Sequence, residues 1–348
     1  MRAWTHADND VASGLVAATP DRQIPRAMNS VGRILLQALV LGALANAPAY
    51  AQSEFADERF PYRAFDRLAK TTIAIGGGTL NVGFAPGSFT LPRSALMAWL
   101  ERSAKAASVY FGKFPVSSAD ILIVPASGGD VQGGASWGFR GPAIRLIVGS
   151  EATEADLRSD WVAVHEMTHL AQPDIRDPHL WLAEGIATYV EPIARVQAGQ
   201  LSAETIWGDM VRDMPKGLPE PGDRGLDGTP TWGRTYWGGA IFCLMADVEI
   251  RKATGNKAGL QQALRGIVAA GGTIDYYWPI ARILGVGDKA TGTTVLTDLY
   301  AKMGAKPYAP DLDALWRDLG VSVKDRRAAF EDEARLAPIR RAITAPPG

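Results

Sequence analysis

The chemically distinctive residues of this chain are two histidines and two glutamates near its centre. His165, Glu166 and His169 form an HExxH motif, and fourteen residues separate His169 from Glu184. On a helix, residues four apart lie on the same face one turn apart, so both imidazoles can reach one metal ion. Glu184 offers a carboxylate as third ligand, while Glu166 would lie beside the metal, where a general base must be. The pattern predicts one zinc ion per chain and zinc-dependent hydrolysis.

The residues around the motif favour a helix. Thr153 and Asp156 have the spacing of a capping box, and Pro173 is expected to end the segment. Between them, side chains that can face a core recur at helical spacing, namely Leu157, Trp161, Val164 and Thr168. The chain has only 4 His. The chance that an HExxH motif arises anywhere in it from composition alone is therefore roughly two in a thousand. The alternative is a helix with two ordinary histidines and an incidental glutamate.

A second predicted helix carries Glu184. Asp177 and Pro178 have the residue types of an N-cap and a first helical position. The apolar side of this helix is formed by Trp181, Leu182, Ile186, Tyr189 and Val190. An unpaired carboxylate among such side chains is costly, and metal coordination would explain it. Glu191, on nearly the same face, is the weaker alternative ligand, and His179 at the helix start is another.

These two segments resemble the gluzincin metallopeptidases of peptidase clan MA, which include thermolysin and the aminopeptidase N-like enzymes. The resemblance rests on HEMTH at 165–169 and WLAEGIATYVE at 181–191. The latter is similar to the Trp-Leu-x-Glu-Gly-x-Ala-x-Tyr-x-Glu stretch of the aminopeptidase N group. It implies a thermolysin-like zincin catalytic domain with zinc bound by His165, His169 and Glu184. The spacer is shorter than in that group, so we expect a compact, divergent member.

A third segment, at 234–240, opens an apolar helix that is expected to run to about Arg251. It resembles the Tyr-x-x-Gly-Ala stretch of aminopeptidase N-like enzymes, in which the tyrosine hydroxyl donates a hydrogen bond to the tetrahedral intermediate. The resemblance gives this role to Tyr236, since a phenol and a metal ion can share a developing negative charge. The alternative is a tyrosine that packs at a helix N-terminus.

A glycine-rich segment precedes the strand-like run 143–148, about thirty residues before the HExxH motif. It resembles in position the Gly-Ala-Met-Glu-Asn-like edge strand that binds substrate backbone in related aminopeptidases. The resemblance implies substrate binding by Gly134, Ala135 and Ser136. The family glutamate that holds the substrate's amino group is replaced by Ser136 or Trp137, which favours an endopeptidase or an unusual exopeptidase. The alternative is a glycine-rich turn between two strands.

The N-terminal part has the organisation of a signal peptide. An apolar run precedes Ala-Tyr-Ala, so residues 28–51 are predicted to be a signal peptide cleaved after Ala51, and residues 1–27 an upstream extension. The runner-up is an uncleaved membrane anchor at 34–45. The single cysteine, Cys243, cannot form an internal disulfide. We therefore expect a periplasmic or secreted protein without stable membrane association after cleavage.

The remaining chain is predicted to have an α+β fold. Residues 52–150 are expected to be β-rich, 151–272 to form the zinc-binding helices, and 273–348 to be a helical C-terminal part. A small mixed β-sheet would then lie over the HExxH helix.

Hydrophobic patterns give further elements within these parts. Residues 55–92 are predicted to be strands and turns, and Ser94 to about Phe111 an amphipathic helix. A buried strand at 121–124 is expected to pair beside 143–148. The tail, 274–335, is predicted to consist of short helices. A long loop is predicted at Pro215–Trp232, and long loops are often functional.

The composition of the chain bears on which classes of molecule it can bind. The formal net charge is −1, so we expect no electrostatic attraction to nucleic acid. Trp161, Trp181 and Trp237 fall in predicted helices at core spacing and are expected to pack. We expect an exported zinc-dependent peptidase in which Glu166 activates a zinc-bound water towards a peptide or protein substrate. The alternative is a catalytically inactive exported peptide- or glycan-binding module on the same scaffold.

Overall fold

The computed structural model describes residues 60–346 of the chain. The predicted upstream extension at 1–27, the signal peptide at 28–51 and the alternative anchor at 34–45 lie outside the described residues. Within 60–346, no helix is both long and apolar enough to cross a bilayer.

Five strands form one mixed sheet. They are β1 (Lys70–Ile75), β2 (Gly78–Phe84), β3 (Ser118–Ala126), β4 (Val131–Trp137) and β5 (Ala143–Gly149). Their order across the sheet is β1-β2-β3-β5-β4. The β1–β2 and β4–β5 pairs are antiparallel, while β2–β3 and β3–β5 are parallel. The predicted pairing of 121–124 beside 143–148 is confirmed, and the glycine-rich segment at the edge is a strand, so the turn alternative is wrong.

Helices cover both faces of the sheet. The first are α1 (Phe60–Arg67) and α2 (Arg93–Phe111). Ile121 and Ile123 pack on the face that meets α2, whereas Leu122 packs on the opposite face with Tyr62 and Phe65 of α1. Parallel strands covered on both faces are apolar throughout, which explains why this run does not alternate. The helix predicted from Ser94 is confirmed. The prediction of only strands and turns at 55–92 is wrong at α1, whose short apolar stripe has helical spacing.

The rest of the described chain is mainly helical. Its helices are α3 (Glu154–Ser159), α4 (Val162–His169), α5 (Leu180–Gln197), α6 (Ala203–Asp213), α7 (Gly239–Ala253), α8 (Leu260–Ala269), α9 (Ile280–Thr291), α10 (Val295–Met303), α11 (Leu312–Leu319) and α12 (Ala337–Thr344). A 3₁₀ turn at Met214–Gly217 follows α6, and a π-helical segment at Gly233–Gly238 leads directly into α7. The α+β class is confirmed, while the predicted domain boundaries remain predictions.

The HExxH segment is two helices instead of the single one predicted from Thr153 to Pro173. The capping box of Thr153 and Asp156 is present at the start of α3. Helix α3 then ends before Asp160. The carboxylate of Asp160 accepts hydrogen bonds from the backbone N–H groups of Val162 at 2.8 Å and Ala163 at 3.1 Å. A side chain that caps the first free N–H groups of α4 favours a new helix start at this point.

Two further helical predictions are confirmed in part and wrong in part. The Glu184 helix, α5, begins at Leu180 with His179 at the N-cap, so Asp177 and Pro178 lie in the preceding turn. In the tail, a hairpin of β6 (Val321–Lys324) and β7 (Arg327–Phe330) replaces part of the predicted helical run. The two turn residues, Asp325 and Arg326, both have positive φ. Residues of a right-handed α-helix do not adopt this conformation.

Candidate metal centre

Three predicted ligands converge from two helices. His165 and His169 project from α4, and Glu184 projects from the second turn of α5. Their ligand atoms all lie within 4.8 Å of one another. The Oε2 atom of Glu184 is 3.2 Å from Nε2 of His165 and 3.6 Å from Nε2 of His169. These three residues therefore form a group that could hold a metal ion.

The chemistry of the group fits zinc. Two imidazole nitrogens and one carboxylate oxygen are a common zinc donor set, and a tetrahedral ion with bonds of about 2.0–2.1 Å holds its ligands about 3.3 Å apart. The separations from Glu184 lie close to that value. The side chains of His169 and Glu184 remain 14% and 16% exposed, so solvent reaches the group. Three protein ligands with an accessible side are typical of catalytic zinc sites.

The charge of Glu184 suits a cation. Burial alone would raise the pKa of Glu184, but His169 and His165 outweigh burial and hold that pKa well below its usual range. Burial would likewise lower the pKa of His169, but Glu184 raises it more strongly. Glu184 is therefore a carboxylate at neutral pH, which is the form that binds metals.

The helices that carry Glu184 and Tyr236 touch through their backbones. A Cβ atom at Gly185 would lie 2.3 Å from the carbonyl carbon of Gly239, the first residue of α7. A Cβ atom at Gly239 would lie 2.1 Å from the carbonyl oxygen of Trp181. Only glycine allows such an approach. The contact brings the π-helical segment before α7 against the start of α5.

Tyr236 lies in that π-helical segment, and such segments are frequent at functional sites. Its ring stacks on that of His165, with centroids 6.4 Å apart and planes inclined by 23°. Burial, followed by the nearby Glu184 and Glu166 carboxylates, raises the pKa of Tyr236 far above its ordinary value. The hydroxyl therefore stays protonated at neutral pH and can donate a hydrogen bond.

Glu166 is buried between α4 and the edge strand β4. Its Oε2 accepts a hydrogen bond of 2.6 Å from the hydroxyl of Ser136. Gly134 lies under the same side chain, since a Cβ atom there would be 2.5 Å from Cγ of Glu166. Ala135 and Trp137 face the other side of the sheet, where they pack with the α1 residues. Of the three predicted substrate-binding residues, Gly134 and Ser136 thus contact Glu166, whereas the side chain of Ala135 lies on the opposite face of the sheet.

The alternative ligands have other partners. Glu191 forms a buried ion pair with Arg195 at 2.8 Å, and burial raises the pKa of Glu191. His179 contacts Asp227 through Nδ1 at 2.9 Å. Neither residue belongs to the group of His165, His169 and Glu184.

Comparison with known proteins supports the fold. No family model and no curated protein matches the chain. Among solved structures, the chain is similar to an aminopeptidase N family protein from Idiomarina loihiensis, with a TM-score of 0.55 and 14% identity over 77% of this chain and 53% of that one. The chain has a gluzincin-like fold. It is also similar to an M1 zinc metallopeptidase from Deinococcus radiodurans, with a TM-score of 0.46 and 18% identity over 70% of this chain and 53% of that one. The chain thus spans about half the length of these proteins.

Two exposed tryptophans extend the site. Trp161 is 45% exposed and meets the His165 ring edge-on at 5.4 Å, so the prediction that it packs in the core is wrong. Trp232 is 56% exposed and stacks on Tyr236 at 6.1 Å. Each lies four residues before a site residue, and this helical spacing is a signal that could have revealed both. Trp181, by contrast, is buried as predicted.

Asp227 is a further residue that sequence patterns did not indicate. Its carboxylate accepts hydrogen bonds from Trp181 at 2.8 Å and from the Tyr300 hydroxyl at 2.7 Å, besides its contact with His179. It thereby ties the loop at 218–231, which forms most of the predicted loop at Pro215–Trp232, to the start of α5. The same loop leads along the chain to the π-helical segment that contains Tyr236.

Proposed function

We propose that the chain is an exported zinc-dependent peptidase. The observation that carries the proposal is the convergence of His165, His169 and Glu184, with Glu166 and Tyr236 beside them. The gluzincin-like fold supports a peptidase in general terms. A purely structural zinc site has no use for a free carboxylate next to its ligands and usually closes its fourth position with protein.

His165, His169 and Glu184 would hold the zinc ion. When bound, the ion would supply Lewis acidity, which polarises a carbonyl group and makes water more acidic. The other residues act on protons and charge. The Glu166 carboxylate accepts a proton from the water that attacks the peptide carbonyl carbon, and then passes it to the amine nitrogen as the C–N bond breaks. The Tyr236 hydroxyl donates a hydrogen bond to the carbonyl oxygen as that oxygen becomes negative.

The substrate would be a peptide or protein. Strand β4 is at the edge of the sheet, so an extended substrate could add to it as a further strand. The family glutamate is replaced by Ser136 or Trp137. Trp137 is buried on the face of the sheet that packs against α1. We therefore expect an endopeptidase or an unusual exopeptidase. Export, through the signal peptide predicted at 28–51, is part of the proposal.

A second candidate function is a catalytically inactive exported peptide- or glycan-binding module. The exposed indoles of Trp161 and Trp232 favour it, since exposed aromatic faces can stack on apolar side chains and on sugar rings. This candidate predicts that ligands bind without being cleaved.

The test compares the zinc-loaded full-length chain with its Glu166→Gln variant on a mixed peptide library. We expect cleavage by the wild type and none by the variant, with equal zinc content. Glu154→Gln is the matched control, because Glu154 lies on the surface in an ion pair with Arg158 and should leave the rate unchanged. Peptides or glycans that bind the wild type without cleavage would favour the binding module. Cleavage retained in Glu166→Gln would contradict the role of Glu166.

A further inference from the structure

Ser136 has a position that substrate binding does not explain. It lies on the face of β4 that meets α4, whereas Ala135 and Trp137 point to the opposite face. Its side chain is buried, with 7% of the residue exposed. A buried hydroxyl needs a partner inside the protein, and in this case both possible acceptors belong to one residue.

The Ser136 hydroxyl is committed to Glu166. Its Oγ lies 2.6 Å from Oε2 of Glu166 and 3.0 Å from the backbone oxygen of the same residue. A hydroxyl has one proton to donate. Because hydrogen bonds to ionised oxygens are shorter and about twice as strong as neutral ones, the proton goes to the carboxylate. The distance agrees with an O–H···O⁻ bond, which spans about 2.5–2.7 Å.

Gly134 restrains the other side of the same carboxylate. A Cβ atom at this position would lie 2.5 Å from Cγ and 2.9 Å from Oε1 of Glu166. The glutamate side chain therefore rests directly on the strand backbone, while Ser136 holds its Oε2. We call this pair of restraints the Gly134–Ser136 clamp. It limits rotation of the carboxylate and leaves Oε1 without the serine's hydrogen bond.

We propose that Ser136 is a positioning residue, which holds the Glu166 carboxylate in the orientation that accepts a proton from the attacking water. The inference rests on the proposed peptidase function and gives Ser136 a role other than the predicted contact with substrate. A general base works only within hydrogen-bond reach of the proton it removes, and small displacements are costly to the rate. The clamp fixes that geometry before substrate binds.

The test uses the full-length chain and two substitutions of Ser136. In Ser136→Ala, we expect kcat to fall by about tenfold to a hundredfold, the scale of a 1 Å misplacement, with unchanged KM and zinc content. Ser136→Thr keeps the hydroxyl and should retain most of kcat. Ser103→Ala is the matched control, since Ser103 is also buried but donates to the backbone oxygen of Trp99 in α2. It should leave kcat unchanged.

A second measurement is independent of activity. In crystal structures of the zinc-free chain, the Glu166 carboxylate should turn away from its wild-type orientation in Ser136→Ala and keep it in Ser136→Thr. An unchanged carboxylate in Ser136→Ala would overturn the proposal. So would a raised KM with unchanged kcat, which indicates substrate contact, or equal losses in Ser136→Ala and Ser103→Ala.

Two contingencies leave the inference testable. If Ser136→Ala does not fold, Ser136→Cys replaces it; because a thiol is a weak donor, its kcat should fall below that of Ser136→Thr, and equal rates would overturn the proposal. If the wild type cleaves no peptide, the proposed function fails on its own. The zinc-free structures then decide whether Ser136 holds Glu166.

Discussion

The contact between Gly185 and Gly239 gives a sharp prediction, because it joins the helix of Glu184 to the helix that follows Tyr236. In Gly185→Ala, the new methyl group would lie 2.3–2.4 Å from backbone atoms of Gly239. Ordinary contacts begin at 3.4 Å, so the two helices must separate by about 1 Å, since backbone atoms cannot rotate away as a side chain can.

The expected magnitudes follow from that separation. Overpacking costs about 1–3 kcal/mol, while replacing a helical glycine by alanine contributes up to about 1 kcal/mol of stability. Because the new methyl group would meet backbone atoms, the overpacking cost should be at the upper end of its range. We therefore expect a net loss of about 2 kcal/mol in the free energy of unfolding. A shift of about 1 Å between Glu184 and Tyr236 should also lower kcat by about a hundredfold.

Urea unfolding and steady-state kinetics measure both effects. Gly285→Ala is the matched control: Gly285 lies inside α9, and beyond the backbone of that helix a Cβ atom there would meet no atom within 4 Å. It should stabilise the protein by about 0.5–1 kcal/mol through helix propensity alone and leave kcat unchanged. The reasoning is refuted if Gly185→Ala stabilises the protein as Gly285→Ala does, or if it keeps the wild-type kcat.

Two further predictions concern residues around the centre. Tyr236→Phe should lower kcat by about a hundredfold or more with little change in KM, as for loss of one oxyanion donor; an unchanged rate in steady-state assays would return Tyr236 to a packing role. Asp227→Ala should lower the free energy of unfolding by about 2–3 kcal/mol, because its partially buried donors lose their acceptor. The control Asp209→Ala, which removes a surface pair with Arg212, should cost less than about 1 kcal/mol in the same urea experiment, and equal losses would argue against an anchoring role.

The sequence was most informative where the chemistry is local. The two histidines are four residues apart, so helical geometry alone places them on one face, and α4 contains both. The position of Glu184 depends on how α5 crosses α4, which local patterns do not specify. Its placement came from resemblance to a known motif, and the structure brings it within 3.6 Å of both histidines.

The helix break at Asp160 and the orientation of Ser136 depend on tertiary contacts, which the hydrophobic periodicity of the sequence does not reveal. Apolar spacing continues through Asp160, yet the helix breaks there, because its carboxylate accepts hydrogen bonds from Trp99 as well as from the next helix. The contact of Ser136 with Glu166 depends on which face of β4 meets α4. An irregularity between Val131 and Gly133 shifts the register, and one extra residue exchanges the two faces of a strand.

A zinc titration of the metal-free full-length chain is the most direct test of the proposed zinc peptidase. Zinc binding and hydrolysis of a mixed peptide library are followed in the same samples. We predict that both rise together and level off at one zinc ion per chain, as expected for a group of His165, His169 and Glu184. A chain that binds no zinc, or that binds one ion and cleaves no peptide, would contradict the proposal.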